Sequence, residues 1–361
     1  MNFFKNFRHG TRLAAECVPK LKRLEENVKK LSAKQKEQST RQKEGGASLK
    51  VLQSRLDGVE SSTALSLEAL ERSAEKLQLL SGKLAVERFA RRPAGTPFSE
   101  VEFQVFSQWG EDGIIQHLIH HLQPEEKSFI EFGVETYTEA NTRFLLINDN
   151  WRGLILDGSE DNMQKVKQSE LYWRHGLTAK AAFLTPGNVN GIIAGQGFGP
   201  RAGLLSIDID GMDYWVLEAI GIQADILICE YNSVFGPSAL VTVPPDDEFH
   251  RTAAHPSNLF YGMSLAAAAA AADRKGYDLV GVNSAGNNAF FIHRSVKPVF
   301  KTVTPAECFT EARFRESRSA EGELTHLDME GRRREIGEVP AFDLTRNTVR
   351  PLKEIWKEAG L

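Results

Sequence analysis

Three aspartates fall within six residues in Ser206-Ile207-Asp208-Ile209-Asp210-Gly211-Met212-Asp213, directly after the apolar pair Leu204-Leu205. The apolar run reads as a buried strand that Gly211 breaks, and Tyr214 to Ile220 suits a helix. Burying three acids together is costly unless hydrogen bonds, a cation or a polar substrate compensates. A second strand, Ile226-Leu227-Ile228-Cys229-Glu230, also ends in a carboxylate and is followed by Tyr231-Asn232. Asp208, Asp210, Glu230 and Asn232 can therefore converge on one point as oxygen ligands. Such donors suit Mg2+, Mn2+ or Ca2+ far better than zinc. An acidic surface turn is the plain alternative, and Asp213, near a helix amino terminus, reads as a cap.

A neighbouring strand points to a second ligand. Phe129-Ile130-Glu131-Phe132-Gly133-Val134-Glu135 enters a turn at Gly133, where a missing Cβ lets backbone approach a nucleotide or amino-acid ligand. Asp157 closes the next apolar run, Gly153-Leu154-Ile155-Leu156, at a spacing that suits a carboxylate accepting from ribose hydroxyls. The full three-glycine dinucleotide fingerprint is missing, which argues against a standard NAD domain. Together these features predict an adenosine-containing ligand.

The elements that must position these groups alternate. Strands are predicted at Ser128 to Val134, Gly153 to Asp157, Ala179 to Leu184, Leu204 to Asp208 and Ile226 to Glu230, with helices such as Asn141 to Asn148 between them. This alternation predicts a mainly parallel sheet covered on both faces, with ligands at the carboxyl ends of the strands. Pro237 to Pro256 shows no clear regular element and reads as an active-site cover holding His250 and His255. Seven alanines, Ala266 to Ala272, predict a helix docked closely on the sheet. Tyr277 to Val282 and Ala289 to His293 read as two further strands, Leu324 to Ile336 as a hairpin, and Pro351 to Glu358 as a terminal helix.

Ahead of this body, steps of three and four from Leu21 reach Leu24, Val28 and Leu31. They cross Gln35, Gln38, Gln42 and Gly45, then resume at Leu49, Leu52, Leu56, Val59, Thr63, Ser66, Leu70, Ser73, Leu77, Leu80 and Leu84. That repeat predicts a coiled coil with a central break, and so an oligomer, with folding back on the body as the competing account. The expected division is an arm over 1–92, a linker over 93–105, a catalytic domain over 106–296 and a packed C-terminal extension over 297–361. The arm carries 20 Lys and Arg against 11 Asp and Glu, a net of +9, which leaves −13 for the remainder. A basic arm suits anionic lipid, nucleic acid or a second subunit, and with Phe3, Phe4 and Phe7 can touch a membrane surface. The acidic body is a poor nucleic-acid binder. Cys17, Cys229 and Cys308 form no disulfide or zinc spacing, so a reducing, cytoplasmic setting is expected, at the inner face of a membrane if the arm binds one.

The motifs in combination resemble the FkbM-like family of class I S-adenosylmethionine-dependent methyltransferases. They are Ser107-Gln108-Trp109-Gly110-Glu111-Asp112-Gly113, Phe129 to Val134, Arg152 to Gly158, Ser206 to Asp213, Glu230-Tyr231-Asn232, Gly276 to Gly281 and Asn288 to Phe291. The resemblance covers about residues 103 to 294 and implies a Rossmann-like seven-stranded sheet with an antiparallel last strand. It also implies that Glu131, Gly133 and Glu135 surround the methionine or ribose part of S-adenosylmethionine and Asp157 its ribose hydroxyls, with Gln108 and Glu111 in the cofactor-binding set. The expected activity is O-methylation of a saccharide or surface glycan precursor, alongside a glycan-assembly partner. A cation at Asp208 and Asp210, Mg2+ or Mn2+, would acidify and orient the hydroxyl. In a metal-free site Asp208, Asp210 or His250 would accept the proton. Trp109 and Trp215 can stack on a sugar or serve the core. Two rivals remain. Asp208-Ile209-Asp210 has the acid-x-acid form of a metal-dependent glycosyltransferase. The turn Glu135-Thr136-Tyr137-Thr138, lacking further glycine, would fit a non-catalytic interaction protein.

Overall fold

The computed structural model describes residues 18–31, 34, 45–297 and 299–361. The chain divides into one unit up to Gln78 and a second from Leu79 to Leu361. In the first, residues 18–31 are helical and a helix begins at Gly45, running to Ala85. The coiled-coil expectation reduces to this single long helix. Its seam residues Val59 and Leu70 are exposed, and so are Leu65 and Leu67, which lie off the seam. Phe3, Phe4, Phe7, Cys17, Gln35, Gln38 and Gln42 lie outside the described residues. Among the described residues no helix is long and apolar enough to cross a membrane.

The second unit is built on seven strands: β1 (Ser128–Phe132), β2 (Arg152–Asp157), β3 (Leu177–Ala181), β4 (Arg201–Ile207), β5 (Gln223–Glu230), β7 (Tyr277–Val282) and β8 (Asn288–His293). Their order is β3-β2-β1-β4-β5-β8-β7. β1 to β5 pair in parallel, while β8 runs antiparallel to both of its neighbours. This mixed Rossmann-like sheet, reversed at its last strand, agrees with the expected architecture. The central strands are buried throughout, which is why β4 and β5 read as continuous apolar runs. The alanine-rich helix Leu265–Arg274 starts at Ser264, whose hydroxyl accepts from the Ala267 N–H. Its Ala267, Ala268, Ala271 and Ala272 are wholly buried, so small side chains let this helix dock closely in the core cluster that also holds Leu227, Cys229 and Phe291. Chain crossovers leave β1 and β4 in opposite directions along the sheet, opening a crevice at their carboxyl ends.

Three expectations are corrected. The segment taken as a linker is packed: Phe98, Val101 and Val105 are buried, and the Phe98 ring meets Phe290 edge-on at 5.5 Å. Pro237 to Pro256 contains strand β6 (Val241–Thr242) and a short helix, Arg251–Ala254. Leu324 to Ile336 is no hairpin. It contains the helix Met329–Ile336, capped by Asp328. The hairpin comes later as β9 (Pro340–Asp343) and β10 (Thr348–Pro351), and β6 adds to β9 to make a second, three-stranded sheet. A two-residue strand has no periodicity to read, so its partner across about a hundred residues could not be foreseen.

Candidate functional site

Gly133 fixes the geometry of the crevice. It sits at φ +73°, and a Cβ there would lie 1.7 Å from the carbonyl oxygen of Asp208. The turn after β1 and the end of β4 therefore touch through backbone, which only glycine permits. Glu135, also left-handed at φ 47°, donates its N–H to Asp157 Oδ2 at 2.7 Å. Asp157 Oδ1 accepts from the Ser159 N–H at 2.8 Å, so one carboxylate ties the β1 turn to the end of β2. Glu131 accepts from the N–H groups of Asn141 and Thr142 and, at 2.5 Å, from the Thr142 hydroxyl. Burial pushes the Glu131 carboxyl up to about 7 against the pull of these donors.

Gln108, Glu131, Gly133, Glu135 and Asp157 all line one cavity of ≈ 490 Å³, a volume in the range of cofactor sites. Glu111 is not in its wall. Buried one layer behind, it accepts from the Trp109 N–H and from the amide groups of Asn283 and Asn288, and it is Asn288 that faces the cavity.

The same cavity reaches the acidic strand ends. Carboxylate oxygens of Asp208, Asp210 and Glu230 lie within 4.8 Å of one another. Burial first, and then the charge of its acidic neighbours, holds the carboxyl of Asp208 and that of Glu230 well above the usual range. Asp208 is densely surrounded by protein yet keeps part of its surface open to the cavity. Glu230 Oε2 is buried and has no hydrogen-bond partner among the described residues. Asp213 serves the turn: its two oxygens accept from the Ile209 and Gly211 N–H groups. Asp210 occupies the left-handed region at φ 56° and turns outward to Arg251, with Nη1 to Oδ1 at 2.6 Å. Arg251 also lines the cavity. Its Nε donates to the Asn258 carbonyl and its guanidinium lies 3.9 Å from the centre of the Tyr261 ring.

Two predicted site residues are displaced. Asn232 points away from the acids: its amide donates to the carbonyls of Leu259 and Tyr261, and its oxygen accepts from the Val234 N–H. Both of its amide hydrogens and an oxygen lone pair hold the loop after β5, and Asn232 is not in the cavity wall. His250 is exposed, its ring 5.3 Å from that of Phe183, while its neighbours Phe249 and Arg251 face the cavity. Arg251 was the residue to find. It is the sole Lys or Arg between Pro237 and Pro256, and a cluster of three acids calls for a counter-charge. Trp215 belongs to packing, with its Nε1 donating to the Val243 carbonyl and its ring edge-on to Phe342.

One arginine charge against three carboxylates, and a buried Glu230 oxygen without a donor, leave the acidic end fit for a hard divalent cation on Asp208, Asp210 and Glu230.

No protein-family model and no curated protein matches the chain. Among solved structures it is similar to the N-terminal domain of EvdMO1, studied with SAH and D-fucose, at 12% identity, over 57% of this chain and 91% of that one, with a TM-score of 0.34. It is similar to a S-adenosylmethionine-dependent methyltransferase from Clostridium acetobutylicum at 10% identity, over 51% and 90% of the two chains, with a TM-score of 0.33. A putative O-methyltransferase from Klebsiella pneumoniae gives 14%, 60% and 90%, with a TM-score of 0.32. Likeness of this degree assigns neither activity nor ligand.

Proposed function

We propose that this chain is an S-adenosylmethionine-dependent O-methyltransferase acting on a hydroxyl of a saccharide or surface glycan precursor. The observation that carries the reading is the single cavity of ≈ 490 Å³ running from Gly133 and Asp157 to Asp208, Asp210 and Glu230. One end suits a nucleoside: Asp157 is fixed by two N–H groups and keeps lone pairs for ribose hydroxyls, and Gly133 removes side-chain bulk. The other end suits a hydroxyl that must lose a proton, because burial holds the Asp208 carboxyl above the usual range and so makes it, once ionised, a stronger base than an ordinary carboxylate. Arg251 neutralises Asp210 and orients it. Asp208, Asp210 and Glu230 would hold Mg2+ or Mn2+, which would lower the acceptor's pKa when bound. The two ends share a wall at Gly133 and Asp208, which favours alignment of methyl and oxygen.

In this reading the helix Gly45–Ala85 is an assembly arm. Its exposed Val59, Leu70, Leu80 and Leu84 fall on the heptad seam, where a second copy would cover them. Through that arm and the basic charge of residues 1–92 as a whole, a net of +9, the heads would reach a membrane surface or a glycan-assembly partner. Sedimentation decides this part, and a monomer at all concentrations removes the arm from the proposal.

Calorimetry separates the activities. S-adenosylhomocysteine should bind and UDP-glucose should not. The reverse result would make the chain a glycosyltransferase acting through Asp208 and Asp210, and binding of S-adenosylhomocysteine without methyl transfer across a glycan panel would leave an interaction protein.

A further inference from the structure

Trp109 sits where the seven-stranded sheet does not need it. Its indole is 36% exposed and stacks on Phe314, with ring centres 6.4 Å apart and planes 21° apart. A tryptophan left open to water on a half-buried phenylalanine forgoes burial energy, so it invites a ligand that can cover it. Its position is fixed from beneath. The Trp109 N–H is held by buried Glu111, which Asn283 and Asn288 hold in turn, while Gln108 and Asn288 reach the cavity wall.

Phe314 comes from the C-terminal extension, on an irregular strap over residues 310–317 that is tied to the loops around the site. The Tyr231 hydroxyl donates to the Thr310 carbonyl at 2.8 Å, and the Ala312 N–H donates to the Ser233 hydroxyl at 3.0 Å. The Arg313 N–H donates to the Ala285 carbonyl, and buried Arg332 donates to the carbonyl of Phe314 itself at 2.7 Å. Gly286 lies so close to the strap that a Cβ would come 2.5 Å from the Glu311 carbonyl oxygen. A segment without helix or strand is thus tied at several points, and it sets Phe314 against Trp109, the chain neighbour of the cavity-lining Gln108.

We propose that the Trp109–Phe314 pair is the acceptor platform: a pyranose ring lays its C–H face on the indole while its hydroxyls turn toward the cavity. This rests on the methyltransferase reading and adds where the acceptor lies and which residues select it. Sugar rings carry an apolar C–H face and a polar rim, and an indole next in the chain to Gln108 and linked through Glu111 to Asn288, both of them in the cavity wall, matches both. Nucleobases also stack on exposed indoles, but the net −13 of the remainder beyond residue 92 repels a polyanion.

The test uses the full chain with S-adenosylhomocysteine bound. Saturation-transfer NMR is run with the methyl glycosides of glucose, galactose, mannose, fucose, rhamnose and glucuronic acid. At least one should be saturated through ring C–H protons. Trp109→Ala should weaken that glycoside about tenfold, Phe314→Ala less, and Trp109→Phe should recover part of the loss. Calorimetric affinity for S-adenosylhomocysteine should not change in any variant, which separates a lost platform from a lost fold. Equal glycoside binding by Trp109→Ala, or no glycoside saturated by the wild type, overturns the platform. Failure of S-adenosylhomocysteine to bind the wild type overturns the methyl-donor reading instead, and the glycoside titration then decides the platform alone.

Discussion

The cavity has two ends, each built around a buried glutamate on a strand, and the two glutamates are treated differently. Glu131 on β1 has an N–H or hydroxyl donor for each oxygen, all from the Asn141-Thr142 corner. Glu230 on β5 faces two aspartates and leaves one buried oxygen without a donor. The first is complete within the chain. The second keeps a place for a proton or a cation, which the proposed chemistry at a hydroxyl would use.

The largest effect expected from breaking this contrast comes at the wall between the ends. Gly133→Ala drives a methyl into the Asp208 carbonyl at a left-handed backbone position. S-adenosylhomocysteine binding should vanish in calorimetry, and urea unfolding should show a loss of at least about 3 kcal/mol. Next, Glu131→Ala strands two N–H groups and a hydroxyl and should cost about 3 kcal/mol by the same measurement. Glu230→Gln should do the opposite. It removes like-charge repulsion and should stabilise the metal-free chain by about 1 kcal/mol while lowering methyl transfer about a hundredfold. A destabilised Glu230→Gln would erase the contrast.

Acidity sharpens it further. Glu131 holds its proton more tightly folded, near 7, than at its ordinary 4.5. Its contribution is therefore fully present below pH 4.5 and is lost as pH rises toward 7, on the order of 3 kcal/mol if unopposed. Asp208 and Glu230 add the same sign. Urea midpoints should fall between pH 4.5 and 7 in chelator. Millimolar Mg2+ should remove the share of the acidic end and leave that of Glu131. The smallest change is thus a difference in slope, and an identical slope with and without Mg2+ would deny the cation.

Four strands of the sheet, β1, β2, β4 and β5, were legible because they are apolar runs closed by a glycine or an acid, at Gly133, Asp157, Asp208 and Glu230. Strand β3, with Thr178 and Lys180 inside it, lies at Leu177–Ala181 and not at the expected Ala179 to Leu184. Spacing alone joined Gly133 to Asp157. The acidic end was legible in part. Asp208, Asp210 and Glu230 converge as their strand ends imply, but an asparagine beside them could as well hold a loop, and Asn232 does. A loop histidine and a loop arginine, adjacent in sequence, cannot be told apart until the loop's direction is known, so the sequence points to His250 as a base and leaves Arg251 unmarked. The strap carrying Phe314 has no period at all, and its order comes from hydrogen bonds to partners far along the chain.

β6 also makes the acidic end depend on a distant part of the chain. The loop that carries Arg251 starts from β6, which pairs with β9. The same region is held through Trp356 Nε1 to the Phe235 carbonyl and the Ser238 hydroxyl to the Ala359 carbonyl. Damage to the second sheet or to the helix Leu352–Glu358 would therefore reach Arg251 and its partner Asp210 while the seven-stranded sheet still stands.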